Sequence, residues 1–110
     1  MSFNQYDIVT IDFPYIDNPK KTKVRPCVIV SSDVYHHNTG FYLAAMITSA
    51  KHSTLWGDYV IPNPTELGLL NASIIRMKFC NIVETDIYQK LGRLSQDSQR
   101  AVKETINIIT

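Results

Sequence analysis

The chain of 110 residues is the right size for one domain and too short for two independent hydrophobic cores. Its 45% hydrophobic and 19% charged residues exclude an intrinsically disordered protein. The N-terminus lacks the basic start and apolar run of a secretion signal, and no apolar stretch is long enough to cross a membrane. We therefore expect one soluble, cytoplasmic domain.

The formal net charge of +1 conceals a local cluster of basic residues. Four of the eleven Lys and Arg residues fall within six positions, namely Lys20, Lys21, Lys23 and Arg25. The rest of the chain then has seven basic and ten acidic residues, so the positive charge is confined to one segment. This cluster fits a loop that meets a phosphate-bearing partner, and it fits a solvated loop tip equally well.

The N-terminal part of the chain predicts two strands joined by a long loop. Val9, Ile11 and Phe13 alternate with polar residues, which predicts a strand with one buried face. Proline, asparagine and lysine residues fill the segment 14–24, which predicts a loop, and long loops in compact domains are often functional. The apolar run that follows predicts a central strand, with Arg25 at the junction between loop and strand.

Three further strands are predicted in the middle of the chain. The segment 41–48 is predicted as a third strand, and a short strand over 58–61 follows a polar loop. The segment 73–83 alternates between a wetter and a drier face, which predicts a long, half-exposed strand. The chain thus contains about five strands.

Two segments predict helices. A short helical turn follows the second strand, with Ser32 or Asp33 as its N-cap and Gly40 at its end. Near the C-terminus Ser95 is an N-cap candidate, and these residues follow at helical spacing: Ala101, Val102, Thr105, Ile106 and Ile109. We predict a mostly β (α+β) fold, in which a barrel-like antiparallel sheet carries short helices and a C-terminal amphipathic helix.

Cysteine and histidine positions give no pattern of metal or cofactor binding. Cys27 and Cys80 lie far apart in apolar runs, which predicts buried, reduced thiols. His36 and His37 are adjacent and His52 stands alone, with no carboxylate at a ligand spacing, so we predict no metal and no cofactor. Glycine-rich phosphate loops and the nucleophile motifs of common hydrolases are also absent from the sequence.

Several short motifs occur together in one order. They are Asp7-Ile8-Val9, Asp12-Phe13-Pro14, the run from Lys23 to Ser31, Ile47-Thr48-Ser49, Gly68-Leu69, the run from Ala72 to Arg76, and the run from Leu91 to Ser95. In this order the chain resembles the MazF/PemK toxins of type II toxin–antitoxin systems over nearly its whole length. The resemblance implies a homodimer of SH3-like barrels that cleaves single-stranded RNA such as mRNA, without a metal, at a short sequence. It also implies a cognate antitoxin that silences the toxin.

The resemblance assigns roles to individual residues. Arg25 of the Arg-Pro motif and Thr48 of the Ile-Thr-Ser motif correspond to the catalytic pair. The loop before this arginine borders the RNA channel in the family. We expect RNA contacts from Tyr15, Lys20, Lys21, Lys23, Ser49, Arg76 and Lys78.

The chemistry of these residue types agrees with RNA cleavage. The 2′-OH of RNA is the nucleophile, and its attack gives a 2′,3′-cyclic phosphate and a 5′-OH end. The guanidinium of Arg25 can stabilise the phosphorane, whereas the Thr48 hydroxyl is too weak a base to act alone, so no general base is evident from the sequence. A loop-anchoring salt bridge for Arg25, a backbone cap for Thr48 and an exposed strand charge for Arg76 remain open alternatives.

Two positions depart from the family pattern. Lys78 stands where many members have an aspartate, two residues after the counterpart of Arg76, and Tyr6 replaces a common glycine before Asp7. Two other functions also remain open. One is a toxin of the same fold that binds a protein target such as DNA gyrase, and the other is a degenerate member that binds RNA without cleaving it.

Overall fold

A computed structural model describes residues 3–14, 22–50 and 55–110. Within these ranges the chain forms six strands, two α-helices and two short 3-10 helical turns. The bounds are β1 Asp7–Pro14, β2 Thr22–Ile29, α1 Asp33–Thr39, β3 Tyr42–Ser49, β4 Tyr59–Val60, β5 Ser73–Ile82, β6 Ile87–Arg93 and α2 Gln96–Ile109, with 3-10 turns at Thr65–Leu67 and Glu84–Asp86. Tyr15, Lys20, Lys21 and His52 lie outside the described residues.

All six strands belong to one sheet with the order β4-β5-β3-β2-β1-β6, and neighbouring strands are antiparallel. The predicted mostly β fold with short helices and a C-terminal helix is therefore confirmed. Within the described ranges the two edge strands do not pair, so hydrogen bonds do not close the barrel. The 3-10 turn at Thr65–Leu67 instead packs on β6, where a Cβ on Gly92 would lie 3.4 Å from the Cα of Leu67. Glycine permits this close approach.

The sheet buries side chains on both faces. Ile8 and Val28 pack on the same side as Val102 of α2, whereas Val9 and Ile29 belong to a second cluster on the other side. Successive residues of a strand point to opposite faces, so the burial of both Ile8 and Val9 makes the start of β1 a central strand. The prediction of one buried face was therefore wrong for the start of this strand, because one core cluster, which includes Val102 of α2, covers one face and a second cluster covers the other.

Both predicted helices are present with their predicted caps. The Ser32 side chain accepts a hydrogen bond from the Tyr35 N–H, and Gly40 ends α1 with a left-handed φ of 79°. The Ser95 side chain caps α2, and Val102 on this helix is completely buried. The described helices include none that is long and apolar enough to cross a membrane.

Two details of the strand prediction were wrong. The sixth strand, β6, was not predicted, because most of its side chains are exposed and its apolar alternation is weak. Arg25 does not lie at the junction between loop and strand: β2 begins at Thr22, and Arg25 lies inside it, opposite Ile11 of β1. Pro26 is tolerated at this inner position because β3 pairs with β2 only from Cys27 onward, so the missing N–H leaves no gap in that ladder.

Both cysteines are free thiols, but only one of them is fully buried. Cys27 is completely buried, and this burial, together with a smaller effect of the nearby Cys80 thiol, raises the pKa of the Cys27 thiol to about 12. Cys80 is half-buried, so the prediction of two buried thiols was wrong for this residue. Its strand, β5, has one face that is only partly covered.

Candidate functional site

A cleft opens where β2 and β3 separate. The two strands pair only between Cys27–Ile29 and Ala44–Met46, in a register that sets Cys27 opposite Met46. Continuing this register by two residues brings Arg25 opposite Thr48, beyond the last paired residues. Both residues line the cleft, which has a volume of about 530 Å³.

The other walls of the cleft come from the parts of the chain that surround this gap. Strand β1 contributes Thr10 and β6 contributes Leu91, while the 3-10 turn is followed by the lining segment 68–71. The other described lining residues are Lys23, Val24, Pro26, Ile47, Ser49 and Ser73. Lys23 and Ser49 are thereby placed beside the predicted catalytic pair.

The described wall of the cleft is cationic. Lys23 and Arg25 are its charged residues, and none of its members is acidic. Neither residue forms an ion pair with another part of the chain that the structure describes. A bound phosphate would therefore not compete with a described carboxylate for these two cations, and such a site attracts anions.

Hydroxyl groups supply the other polar chemistry of the cleft. Thr48 is half-buried, and Thr10, Ser49 and Ser73 add three more hydroxyls to the wall. The described wall contains no histidine or carboxylate that would serve as a general base. His36 lies elsewhere on α1, where its ring stacks on Tyr42 with 3.9 Å between ring centroids.

Arg76 is held outside the cleft by an ion pair. Its Nε and Nη2 donate to the Oδ1 and Oδ2 of Asp58 at 3.2 and 3.0 Å. The Asp58 side chain is only 3% exposed, and the Arg76 hydrogen bond lowers the pKa of its carboxyl, against the opposing effect of burial. The structure therefore separates Arg76 from Arg25 and Thr48, and gives it a described partner.

Lys78 is also outside the described wall of the cleft. The register of β3 and β5 shifts between Ala45 and Met46, which leaves Met77 and Lys78 as extra residues on β5. Lys78 is exposed at this bulge. The position of the common family aspartate thus lies at a local irregularity of the strand, away from the cleft.

Ten of the fourteen described lining residues were not predicted from the sequence as site residues, among them Thr10, Leu70, Asn71 and Ser73. The sequence did contain a signal for Thr10. Thr10 and Asp12 are the polar residues between Ile8 and Phe13, in a strand that is otherwise apolar there. The sequence around Leu70 has no local pattern that predicts a site residue, since only the fold brings this segment into the same cleft as Arg25. In the described ranges, no three His, Cys, Asp or Glu side chains are grouped as metal ligands.

The fold and the cleft define a small β-sheet protein with a cationic cleft. Residues 4–110 match the family described as PemK-like, MazF-like toxin of type II toxin-antitoxin system. The chain belongs to this family, and is a toxin component of that class. No curated protein sequence matched the chain.

Several solved structures have the same fold. An endoribonuclease from a mycobacterial species, in complex with its cognate antitoxin, is 13% identical with a TM-score of 0.76 and covers 97% of this chain and 93% of its own. The Mycobacterium tuberculosis toxin MazF-mt6 is 20% identical with a TM-score of 0.72, covering 93% of each chain. MazF in a MazE–MazF structure from Deinococcus radiodurans is 15% identical with a TM-score of 0.74, covering 99% and 96%.

Proposed function

We propose that this toxin is an endoribonuclease that cleaves single-stranded RNA, such as mRNA, at a short sequence without a metal ion. The 2′-OH attacks the adjacent phosphate and gives a 2′,3′-cyclic phosphate and a 5′-OH end. The observation that carries the proposal is that Arg25 and Thr48 line one cationic cleft, in a chain from the MazF family. The structural neighbour from a mycobacterial species that is an endoribonuclease supports it further.

Arg25 is assigned to the transition state. Negative charge grows on the non-bridging oxygens as the phosphorane forms, and a guanidinium presents a planar fork of donors to two of these oxygens. Because no described carboxylate pairs with Arg25, its charge is available to the phosphate. Electrostatic stabilisation of this kind contributes on the order of 3 kcal/mol to catalysis.

Thr48 is assigned to orientation of the reacting groups. Its hydroxyl can donate to a phosphate oxygen or accept from the 2′-OH, but it has too little basicity to remove the proton by itself. Since the nucleophile belongs to the RNA, alignment of the 2′-OH with the leaving 5′ oxygen is the main requirement. Thr48 lines the same cleft as Arg25, and we assign both to one phosphate.

RNA binding is assigned first to the described cations and hydroxyls of the cleft. Lys23 and Ser49 lie beside the catalytic pair and are proposed to contact the backbone. Tyr15, Lys20 and Lys21 are proposed to extend this surface. Arg76 and Lys78 stay in the proposal as contacts for RNA beyond the cleft, although the ion pair with Asp58 limits what Arg76 can offer.

The proposed partners follow from the same family. We propose that the toxin is a homodimer, acts in the cytoplasm and is silenced by a cognate antitoxin. The mycobacterial neighbour is in complex with its cognate antitoxin, and the Deinococcus radiodurans neighbour is a MazE–MazF structure.

The test is incubation of the purified toxin with a long single-stranded RNA in EDTA, followed by sequencing and chemical analysis of the new ends. Cleavage with cyclic phosphate ends is expected, and Arg25→Ala should lose it by a factor of about 10² to 10³ while the protein still folds. Arg100→Ala is the matched control, because Arg100 is an exposed arginine of α2 outside the cleft. A requirement for magnesium would overturn the mechanism.

The same assay separates the other two functions. RNA that stays intact at every toxin concentration, together with arrested growth in cells, would support a protein target. Intact RNA and harmless expression without an antitoxin would support a degenerate member that only binds RNA.

A further inference from the structure

One leucine at the rim of the cleft has almost no contact with the rest of the protein. Leu70 is 98% exposed, whereas Leu67 and Leu69 in the same segment are 5% and 7% exposed in the core. Single exposed leucines are common on protein surfaces, so exposure alone carries no conclusion. Leu70 lies in the wall of the cleft, a position that among the exposed large apolar residues of the described chain it shares with Val24.

The segment that carries Leu70 is held in place on both sides. The Leu69 N–H donates to the Pro64 carbonyl at 2.9 Å, and the Ser73 hydroxyl donates to the Asn71 carbonyl at 2.8 Å. Burial of the Leu69 side chain adds a third anchor. The exposed side chain of Leu70 is thus presented from an ordered segment, which lowers the entropic cost of binding.

Two neighbours of Leu70 in the cleft extend this surface. Val24 also lines the cleft and is 51% exposed, next to the cations Lys23 and Arg25. Asn71 is exposed, and no described residue hydrogen bonds to its side-chain amide. The rim therefore combines aliphatic surface with a free amide beside a cationic site.

We propose that Leu70 and Asn71 form a nucleobase-binding element for a nucleotide next to the scissile phosphate. Leu70 packs on the face of the base, and the Asn71 amide hydrogen bonds to its edge. This inference rests on the proposed ribonuclease activity and names the part of the site that selects the RNA sequence. A base bound in this way holds the neighbouring phosphate against Arg25 and Thr48.

The chemistry of the cleft favours a base over an apolar side chain of a protein. Single-stranded nucleic acid presents an apolar face, a polar edge and a phosphate within one nucleotide, which matches Leu70, Asn71 and the pair Lys23 and Arg25. An apolar protein side chain would cover Leu70 but leave the Asn71 amide and the cations unmatched. Binding by a protein is therefore the alternative outcome of the test.

The first experiment is a double-mutant cycle in which one change truncates Leu70 and the other removes a base from the RNA. The RNA carries a 2′-deoxy nucleotide at the mapped cleavage site to prevent cleavage, and an abasic nucleotide is placed at each flanking position in turn. Leu70→Ala should raise Kd for intact RNA about tenfold, and removal of the bound base should raise Kd for the native toxin about tenfold. Combined, the two changes should cost little more than either one alone.

The second experiment addresses the edge of the base. Asn71→Ala should broaden the preference at one nucleotide in the sequenced cleavage products, while Leu70→Ala should raise KM with little change in kcat. Val34→Ala is the control, because Val34 is a 68% exposed residue of α1 outside the cleft and should behave like the native toxin. Because the Leu70 side chain is exposed, Leu70→Ala should have the Tm of the native toxin. Thermal melting can therefore exclude a folding defect.

The outcomes separate this inference from the proposed function. If the native toxin cleaves no RNA, the proposed function is refuted and the base site falls with it. If it cleaves RNA but Leu70→Ala matches the native toxin, or the two tenfold effects multiply, only the base site is refuted. Normal RNA binding by Leu70→Ala with weakened antitoxin binding would assign the residue to a protein interface.

Discussion

Arg25 and Thr48 line the same cleft, each two positions beyond the last paired residue of the β2–β3 ladder. The paired residues Cys27–Ile29 and Ala44–Met46 fix the register from which both strands continue. A core that is completely buried at Cys27 and Ala44 supports this register. Substitution of either site residue should therefore leave the position of the other unchanged.

The first prediction concerns the division of labour between these two residues. Arg25→Lys should reduce kcat about 10²-fold although it keeps the charge, because an ammonium lacks the planar fork of a guanidinium. Thr48→Val removes only the hydroxyl at constant shape and should reduce kcat about tenfold or more, whereas Thr48→Ser should retain most activity. Single-turnover cleavage measures all three.

A double variant supplies the control for this assignment. Because both groups act on one phosphate, Arg25→Ala combined with Thr48→Val should be little slower than Arg25→Ala alone. If the two losses in rate multiply fully, the two residues act independently. That result would contradict their shared role at one phosphate.

The second prediction concerns Lys23. This exposed residue of β2 lines the cleft, so Lys23→Ala should weaken binding of all RNA sequences alike and leave the cleavage sequence unchanged. Loss of one phosphate contact on a single strand should lower the slope of log K against log salt by about 0.7. Binding at four or more salt concentrations measures this slope. An altered cleavage sequence with the same slope would assign Lys23 to a base instead.

The sequence predicted the elements whose patterns are local. The caps Ser32 and Ser95 and the end of α1 at Gly40 depend on side chains within one turn, and all three are confirmed. Strand β6 was missed because its packing is decided by β1 and by the turn at Thr65–Leu67, which are distant in the sequence.

The candidate site was predictable only in part for the same reason. Arg25 and Thr48 came from the resemblance to a family, and their opposition depends on a strand register that no local pattern specifies. The partner of Arg76 also lies outside local reach, since Asp58 is 18 residues away in the chain. The alternation of β5 predicted an exposed charge and gave no sign of this ion pair.

The third prediction concerns the ion pair between Asp58 and Arg76. Asp58 also accepts the Leu55 N–H at 2.8 Å, so it closes the turn before β4 as well as binding the arginine. Asp58→Asn should lower Tm by about 5 °C at pH 7 because it removes the charge of a partly buried pair. Thermal melts of both proteins between pH 7 and pH 3 measure the effect.

The pH dependence follows from the lowered pKa of Asp58. Its pKa in the folded state lies below the unfolded value of about 3.9, so the ion pair stabilises the protein fully above that value. The stabilisation is lost as pH falls through the lower, folded pKa, and the gap in Tm between the two proteins should close there. Asp97→Asn is the control, because the Asp97 side chain is 94% exposed and should change Tm by no more than about 1 °C. A gap that stays constant to pH 3 would contradict the prediction.

The fourth prediction concerns backbone strain at Tyr6, which stands where a glycine is common in the family. Tyr6 has a left-handed φ of 72°, which glycine adopts freely and other residues adopt at a cost. Its N–H donates to the Ile29 carbonyl and its carbonyl accepts from the Leu94 N–H, so the ends of β2 and β6 hold it in this conformation. The backbone conformation at position 6 therefore favours glycine.

Two variants at this position separate the backbone from the side chain. Tyr6→Ala and Tyr6→Gly both remove a ring that is 9% exposed in the core, so both should be less stable than the native protein. The glycine variant should nevertheless have the higher free energy of unfolding, by about 1 kcal/mol, because only alanine keeps a Cβ at a left-handed φ. Urea denaturation measures the difference. The same two substitutions at the exposed Lys103 of α2 should give the opposite order by about 1 kcal/mol, and an alanine variant as stable as glycine at position 6 would rule out strain there.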